Sequence, residues 1–274
     1  MVTARESLRS LLRHDRWIMA AALALAVVGA GGFILAGGGT GMSAIAMTAA
    51  TGPFGALIAE VPDVLRVEVW SLTYGVIIFV MWWLMMVAMM IPSAAPTVLL
   101  FGAIYPARGL WGMVEFLLGY LAIWAGMSLI ATVVQAGLAA SGMISPMYMT
   151  LGAPYLAAAM LILAGLYQVT PMKKACLSHC RGPVDALTRH RRDGPLVAFR
   201  MGAVHGMCCL GCCWALMALL FVGGVMNLWW IIGLMVLVAL EKLAPDGERV
   251  ARVVAVVLVA GGGVWLAALL GAAV

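Results

Sequence analysis

Between positions 201 and 213 the chain carries Met201, His205, Cys208, Cys209, Cys212 and Cys213. On a helix turning about 100° per residue, these six fall within an arc of about 140°, and Trp214 points the opposite way. Thiolate, imidazole and thioether together select soft metals: copper(I), zinc or iron–sulfur clusters. Cysteine is also a common small apolar residue of buried helices. Four of them in six positions, aligned with a histidine, exceed what packing requires. Gly202 and Gly206 stand at the spacing that lets a second helix approach closely, so a neighbouring segment can bring further ligands.

Two other segments offer such ligands. Cys176, His179 and Cys180 lie in the polar segment that follows position 170; their spacing loosely resembles a zinc half-site, and the alternative is a plain interfacial loop. Met81, Met85, Met86, Met89 and Met90 repeat at helical spacing. Thioethers bind copper(I) or silver, although methionine is also an adaptable packing residue. Met85, Met89 and Met90 are the candidate ligands of this group. Glu241 is a candidate hard ligand, with Lys242 beside it as a simple neutralising partner.

These segments must be positioned by an all-α membrane bundle. The chain has 274 residues, of which 65% are apolar and 10% charged, and its mean hydropathy is +1.09. A soluble domain has about twice that share of charge. The composition excludes a disordered chain and a nucleic-acid-binding domain. About seven apolar stretches are long enough to cross a bilayer: 17–36, 72–91 (apolar to 104), 111–139, 151–170, 201–222, 228–240 and 252–272. The sixth is short unless it starts near Gly224, which leaves six spans as the alternative count. Pro92 and Pro96 are expected to break or kink the second. Placing the N-terminus in the cytoplasm puts 15 of the 16 Lys and Arg on that side, and only Arg66 outside. This agrees with the positive-inside rule.

The expected organisation is an N-terminal anchor helix with an external loop (1–70), followed by a six-helix metal-binding membrane core (71–274). The external loop ends among Glu60, Asp63 and Glu68, and 171–200 is the one sizeable internal loop. His14 and His190 sit among arginines and read as solvated. The topology brings all three soft-ligand groups to one depth, at the cytoplasmic end of their spans.

Several motifs carry a family resemblance. They are Gly211-Cys-Cys-Trp-Ala-Leu-Met217-Ala-Leu-Leu-Phe221, Glu241-Lys242, Pro171-x-Lys173-x-x-Cys176-Leu-x-x-Cys180-Arg181 and Met-Met-x-x-Met-Met-x-Pro92-x-x-x-Pro96. Together they resemble the bacterial domain of unknown function 2182 family, described as predicted metal-binding integral membrane proteins. The resemblance covers roughly 72–272. It implies a multi-pass protein of the bacterial inner membrane with a metal site at the cysteine motifs, and no particular reaction.

The function expected from these residues is binding of a soft metal, copper(I) first and zinc as the alternative, for handling or delivery near the cytoplasmic face. The main site is Cys208, Cys209, Cys212, Cys213 and His205. Cys176, His179 and Cys180 cap it, and Met85, Met89, Met90 and Glu241 assist. The competing reading is an accessory or assembly subunit of a larger membrane metalloenzyme complex, such as a copper monooxygenase or oxidase. A thiol redox enzyme is disfavoured by the reducing cytoplasmic side, and haem by the single histidine inside a span. No phosphate-binding loop of the GxxxxGK[ST] type occurs. The chain is expected to be no enzyme, and its partners are the lipid bilayer and other membrane proteins or further copies of itself.

Overall fold

The computed structural model describes residues 2–40, 43–52, 70–145, 149–189, 194 and 196–272. Most of Glu60, Asp63, Arg66 and Glu68's loop, and His190, therefore lie outside the described residues. Eleven α-helices are described: α1 Val2–Leu35, α2 Ala44–Thr51, α3 Leu72–Ile104, α4 Gly109–Ala140, α5 Pro154–Tyr167, α6 Pro171–Arg181, α7 Pro183–Arg189, α8 Val197–Ala218, α9 Leu220–Gly223, α10 Leu228–Leu243 and α11 Gly247–Ala272. Among the described residues, β-structure is limited to one isolated bridge, Ile144 to Leu151.

Five of these segments are each long and apolar enough to cross a membrane: 14–35, α3, 106–140, 197–223 and α11. A sixth is reached if α5 and α6, bent by 62° to each other, count as one broken span. This agrees with an expectation of about seven in which the sixth stretch, 228–240, is the weakest by length. The stretch 228–240 forms α10, which has 16 residues. At about 1.5 Å per residue it covers about 24 Å, short of a hydrocarbon core of about 30 Å.

Helix α8 is the axis of the bundle: 67% of its most apolar stretch is buried, against 11% for α11. It packs chiefly on α4 and also on α6. The reason is steric. A methyl group at Gly202 would meet the Phe116 carbonyl oxygen at 1.8 Å, and one at Gly119 would meet the Phe199 carbonyl oxygen at 2.0 Å. The two backbones touch because neither position carries a side chain. Elsewhere α1 lies along α3, and α11 along α5. Val253, Val256, Val257 and Val264 of α11 remain exposed, as suits a helix facing lipid.

Helix α3 is continuous through Pro92 and Pro96, so of the expected break or kink the break does not occur. A proline leaves carbonyls and neighbouring backbone groups in need of other partners, which adjacent side chains can supply inside a bundle. The carbonyls that the two prolines leave without an amide donor are those of Ala88 and Pro92; just before the first proline, the Met90 carbonyl takes additional bonds from Ser93 Oγ at 3.0 Å and from Tyr120 OH at 3.4 Å.

The α4–α8 contact generates a direct test. Gly202→Val should lower stability in detergent by more than the roughly 1–3 kcal/mol of ordinary overpacking, because backbone rather than side chain must move. Gly126→Ala, which meets nothing within 4 Å, should leave the thermal midpoint unchanged or raise it slightly.

Candidate metal centre

The segment after residue 170 is helical, where a loop was expected. Its first turn is built by local chemistry. Thr170 caps α6, its Oγ1 accepting from the Lys173 amide at 3.3 Å, and Pro171 occupies the first helical position. Both are standard helix-start signals. The helix lays Cys176 and Cys180, one turn apart, against Cys208 and Cys212 of α8, also one turn apart. The Cys176 thiol neighbours that of Cys208, and the Cys180 thiol that of Cys212. Two thiol pairs thus form successive rungs between α6 and α8. The approach depends on Gly211, where a methyl group would stand 2.6 Å from Cys176 Sγ.

The other two thiols of α8 face a different set of neighbours. Cys209 and Cys213 are in side-chain contact. Cys209 Sγ also lies 2.9 Å from Lys242 Nζ and 3.0 Å from Tyr120 OH. Lys242 donates in addition to Ser93 Oγ at 3.2 Å. Cys209, Cys212 and Cys213 are buried, while Cys176, Cys180 and Cys208 are half-buried, and all six are free thiols. The single arc expected for the four α8 cysteines is therefore two rows about 100° apart.

His205 is buried and lies between the rings of Phe116, Tyr120 and His179, with centroids 6.0, 5.8 and 6.2 Å away. Its Nδ1 has no hydrogen-bond partner. A buried polar atom of that kind is a cost that a ligand would relieve. Among the described residues, no three His, Cys, Asp or Glu side chains are arranged as a closed metal site. What the protein presents is a set of thiol pairs beside an unsatisfied imidazole. Paired thiolates suit copper(I), a soft ion that accepts few ligands, better than zinc, which asks for a closed tetrahedron.

Glu241 is placed differently from the expectation. Its carboxylate is ion-paired with Lys173 Nζ at 2.6 Å and accepts from Gln168 Nε2 at 3.0 Å. Lys173 also donates to Gln168 Oε1. All three side chains are almost fully buried. Arg181 donates to the Glu241 carbonyl at 2.9 Å and to the Pro245 carbonyl at 2.5 Å. Lys242 does not neutralise Glu241; it faces Cys209. Adjacent helical residues point in different directions, so the Glu-Lys pair in the sequence already required two separate partners. Met85, Met89 and Met90 are buried in the same continuous apolar cluster as Cys209, Cys212 and Cys213.

The fold and site define an all-helical protein with several membrane-length apolar helices and a paired-thiol centre suited to a soft metal. The chain belongs to the PpoB2 copper chaperone family, whose model matches residues 79–265. The match agrees with the metal-binding character implied by the resemblance in the motifs, under a different family name. No curated protein and no solved structure matches the chain.

The buried ion pair makes a prediction with opposite signs for single and double replacement. Lys173→Met alone should destabilise the protein by about 3–5 kcal/mol, since it strands a buried carboxylate. Lys173→Met with Glu241→Leu should recover most of that loss. Thermal unfolding in detergent reads both, and equal loss in the two variants would contradict the assignment.

Proposed function

We propose that the protein binds copper(I) at the α6–α8 thiol pairs and passes it on to a membrane metalloenzyme or its assembly complex. The observation that carries this reading is the in-register pairing of Cys176 with Cys208 and Cys180 with Cys212. Membership of a copper chaperone family supports it. Handing an ion over requires ligands that can be exchanged one at a time. A closed cage resists that exchange, whereas a row of thiol pairs offers the next ligand before the last has left. The half-buried outer rung is the entry, and the buried thiols are the retaining ligands. Cys209 and Cys213 form a second pair, with the Lys242 ammonium beside it to balance thiolate charge. His205 supplies a third, neutral donor through its unpartnered Nδ1.

The charge distribution supports a cytoplasmic N-terminus in the bacterial inner membrane. The α6 end of the bundle, with its Lys and Arg, then faces the cytoplasm. Copper would be loaded there, in the compartment that keeps these thiols reduced.

The test is elemental analysis of protein purified anaerobically in mild detergent, with a thiol count alongside. Copper should be retained and the thiols protected from alkylation. Replacing Cys208, Cys209, Cys212 and Cys213 with Ser should abolish retention and leave the helical content intact. Copper stoichiometry unchanged by the replacement would overturn the assigned site. Retained zinc in place of copper would overturn the copper reading in favour of a structural centre.

A further inference from the structure

The thiols occupy one end of α3's neighbourhood, and the methionines of α3 lead away from it. Met81, Met85, Met86, Met89 and Met90 are each no more than 1% exposed. Together with Met226 and the three buried α8 thiols, they belong to one continuous buried cluster. From Met81 to Met90 the helix rises about 13 Å. Both ends of that row have defined neighbours. At one end Tyr120 OH reaches the Met90 carbonyl at 3.4 Å and Cys209 Sγ at 3.0 Å. The backbone of Met90 is therefore one tyrosine hydroxyl away from the Cys209 thiol.

The other end lies under the turn that follows α1. Gly38 has φ +59°, and a methyl group there would stand 2.8 Å from Met81 Cγ and 3.4 Å from Met226 Cε. Both thioether side chains consequently meet beneath this turn, with no room for a side chain above them. At the same end α2 packs on the start of α10, where Asn227 Nδ2 donates to the Gly52 carbonyl at 2.7 Å and the Leu228 amide donates to Thr48 Oγ1 at 2.9 Å. The row thus runs from the thiol centre to the opposite end of the bundle.

We propose that the methionine row of α3, completed by Met226, is a second soft-ion site. Through it copper(I) moves from the thiols to the opposite end of the bundle. This inference rests on the thiol reading above and extends it from binding to passage across the membrane. Thioethers are neutral donors that bind monovalent copper or silver and ignore hard ions. They compensate less of the ion's charge than thiolates do, so each position holds it weakly. Weak, multiple sites are what conduction requires, because an ion must be able to leave as well as enter. Leucine would fill the same space with apolar bulk and no donor. Exchange from one thioether to the next changes neither the oxidation state of the ion nor any proton; when the ion leaves the cysteines, the freed thiolates take up from water the protons they gave up on binding it.

The test uses the full chain reconstituted in phospholipid vesicles that enclose a copper(I)-specific chelating dye. Copper(I) is added outside under reducing, anaerobic conditions. The wild type should colour the dye. Met81→Leu with Met85→Leu and Met226→Leu should fall to the rate of protein-free vesicles. The same variant should lose only the copper held by the methionines and should keep the wild-type protection of its thiols by copper(I) in detergent, and a thermal midpoint near the wild type shows that it is folded. In a second arm, the chain with all six cysteines replaced by Ser should still bind silver(I), and the three Met→Leu replacements should remove that binding. Equal dye loading by wild type and the Met→Leu variant would overturn the relay. So would no loading by a wild type that retains copper in detergent. A wild type that retains no copper in detergent but still loads the dye through its methionines would instead sink the thiol site and leave the relay standing.

Discussion

A lysine and a glutamate held together in the interior of an apolar bundle decide where the thiols stand. Lys173 belongs to α6 and Glu241 to α10, and Gln168, just before α6, bonds to both. Water is not available to either charge, so each holds the other in place. Arg181 fastens the far end of α6 to the carbonyls of Glu241 and Pro245. An 11-residue helix of modest hydrophobicity would have little reason to sit in this layer unaided. Anchored at both ends, it holds Cys176 and Cys180 against α8. The thiol rungs are thus a consequence of a charge pair that never touches the ion.

The second constraint is the absence of side chains at Gly119 and Gly202. It draws α8 against α4 and so brings Cys209 to Tyr120. Residues from four helices (α3, α4, α8 and α10) then meet at one sulfur, through Ser93, Tyr120, Cys209 and Lys242. A sulfur so surrounded has a fixed position. The rung cysteines, with thiol neighbours and partial exposure, have more freedom. The centre therefore combines a rigid inner pair with a looser outer one, an arrangement suited to taking an ion from one side and holding it on the other.

Much of this was legible in the residues. The α8 motif announces soft-metal chemistry through its donor types and spacing, and the convergence of α6, α8 and the end of α10 follows from the order of the apolar stretches. Thr170-Pro171 also carried the signal for a helix at α6, but polarity favoured a loop and hid it. The partners of Glu241 and Lys242 were not legible. They depend on which residues of distant helices face inward, and neither periodicity nor spacing fixes that for α3 and α4, which are apolar all round. The continuous helical course of α3 through Pro92 and Pro96 was hidden for the same reason, because it depends on the packing of neighbouring helices around it. The short α10 shows the limit of counting apolar residues, since a helix packed within the bundle need not match the bilayer.

The geometry that pairs the thiols also sets their liability to oxidation. Disulfide formation needs two sulfurs in contact and access for an oxidant. Cys176 and Cys208 meet both conditions, being paired across two helices and half-buried. Cys209, Cys212 and Cys213, each 1% exposed, are shielded. An oxidising environment would therefore close the outer rung first, covalently stapling α6 to α8 and consuming the entry ligands while leaving the inner thiols intact. On the copper reading proposed above, an ion would hold the same two sulfurs as thiolate ligands, so copper and an oxidant would compete for one pair of atoms.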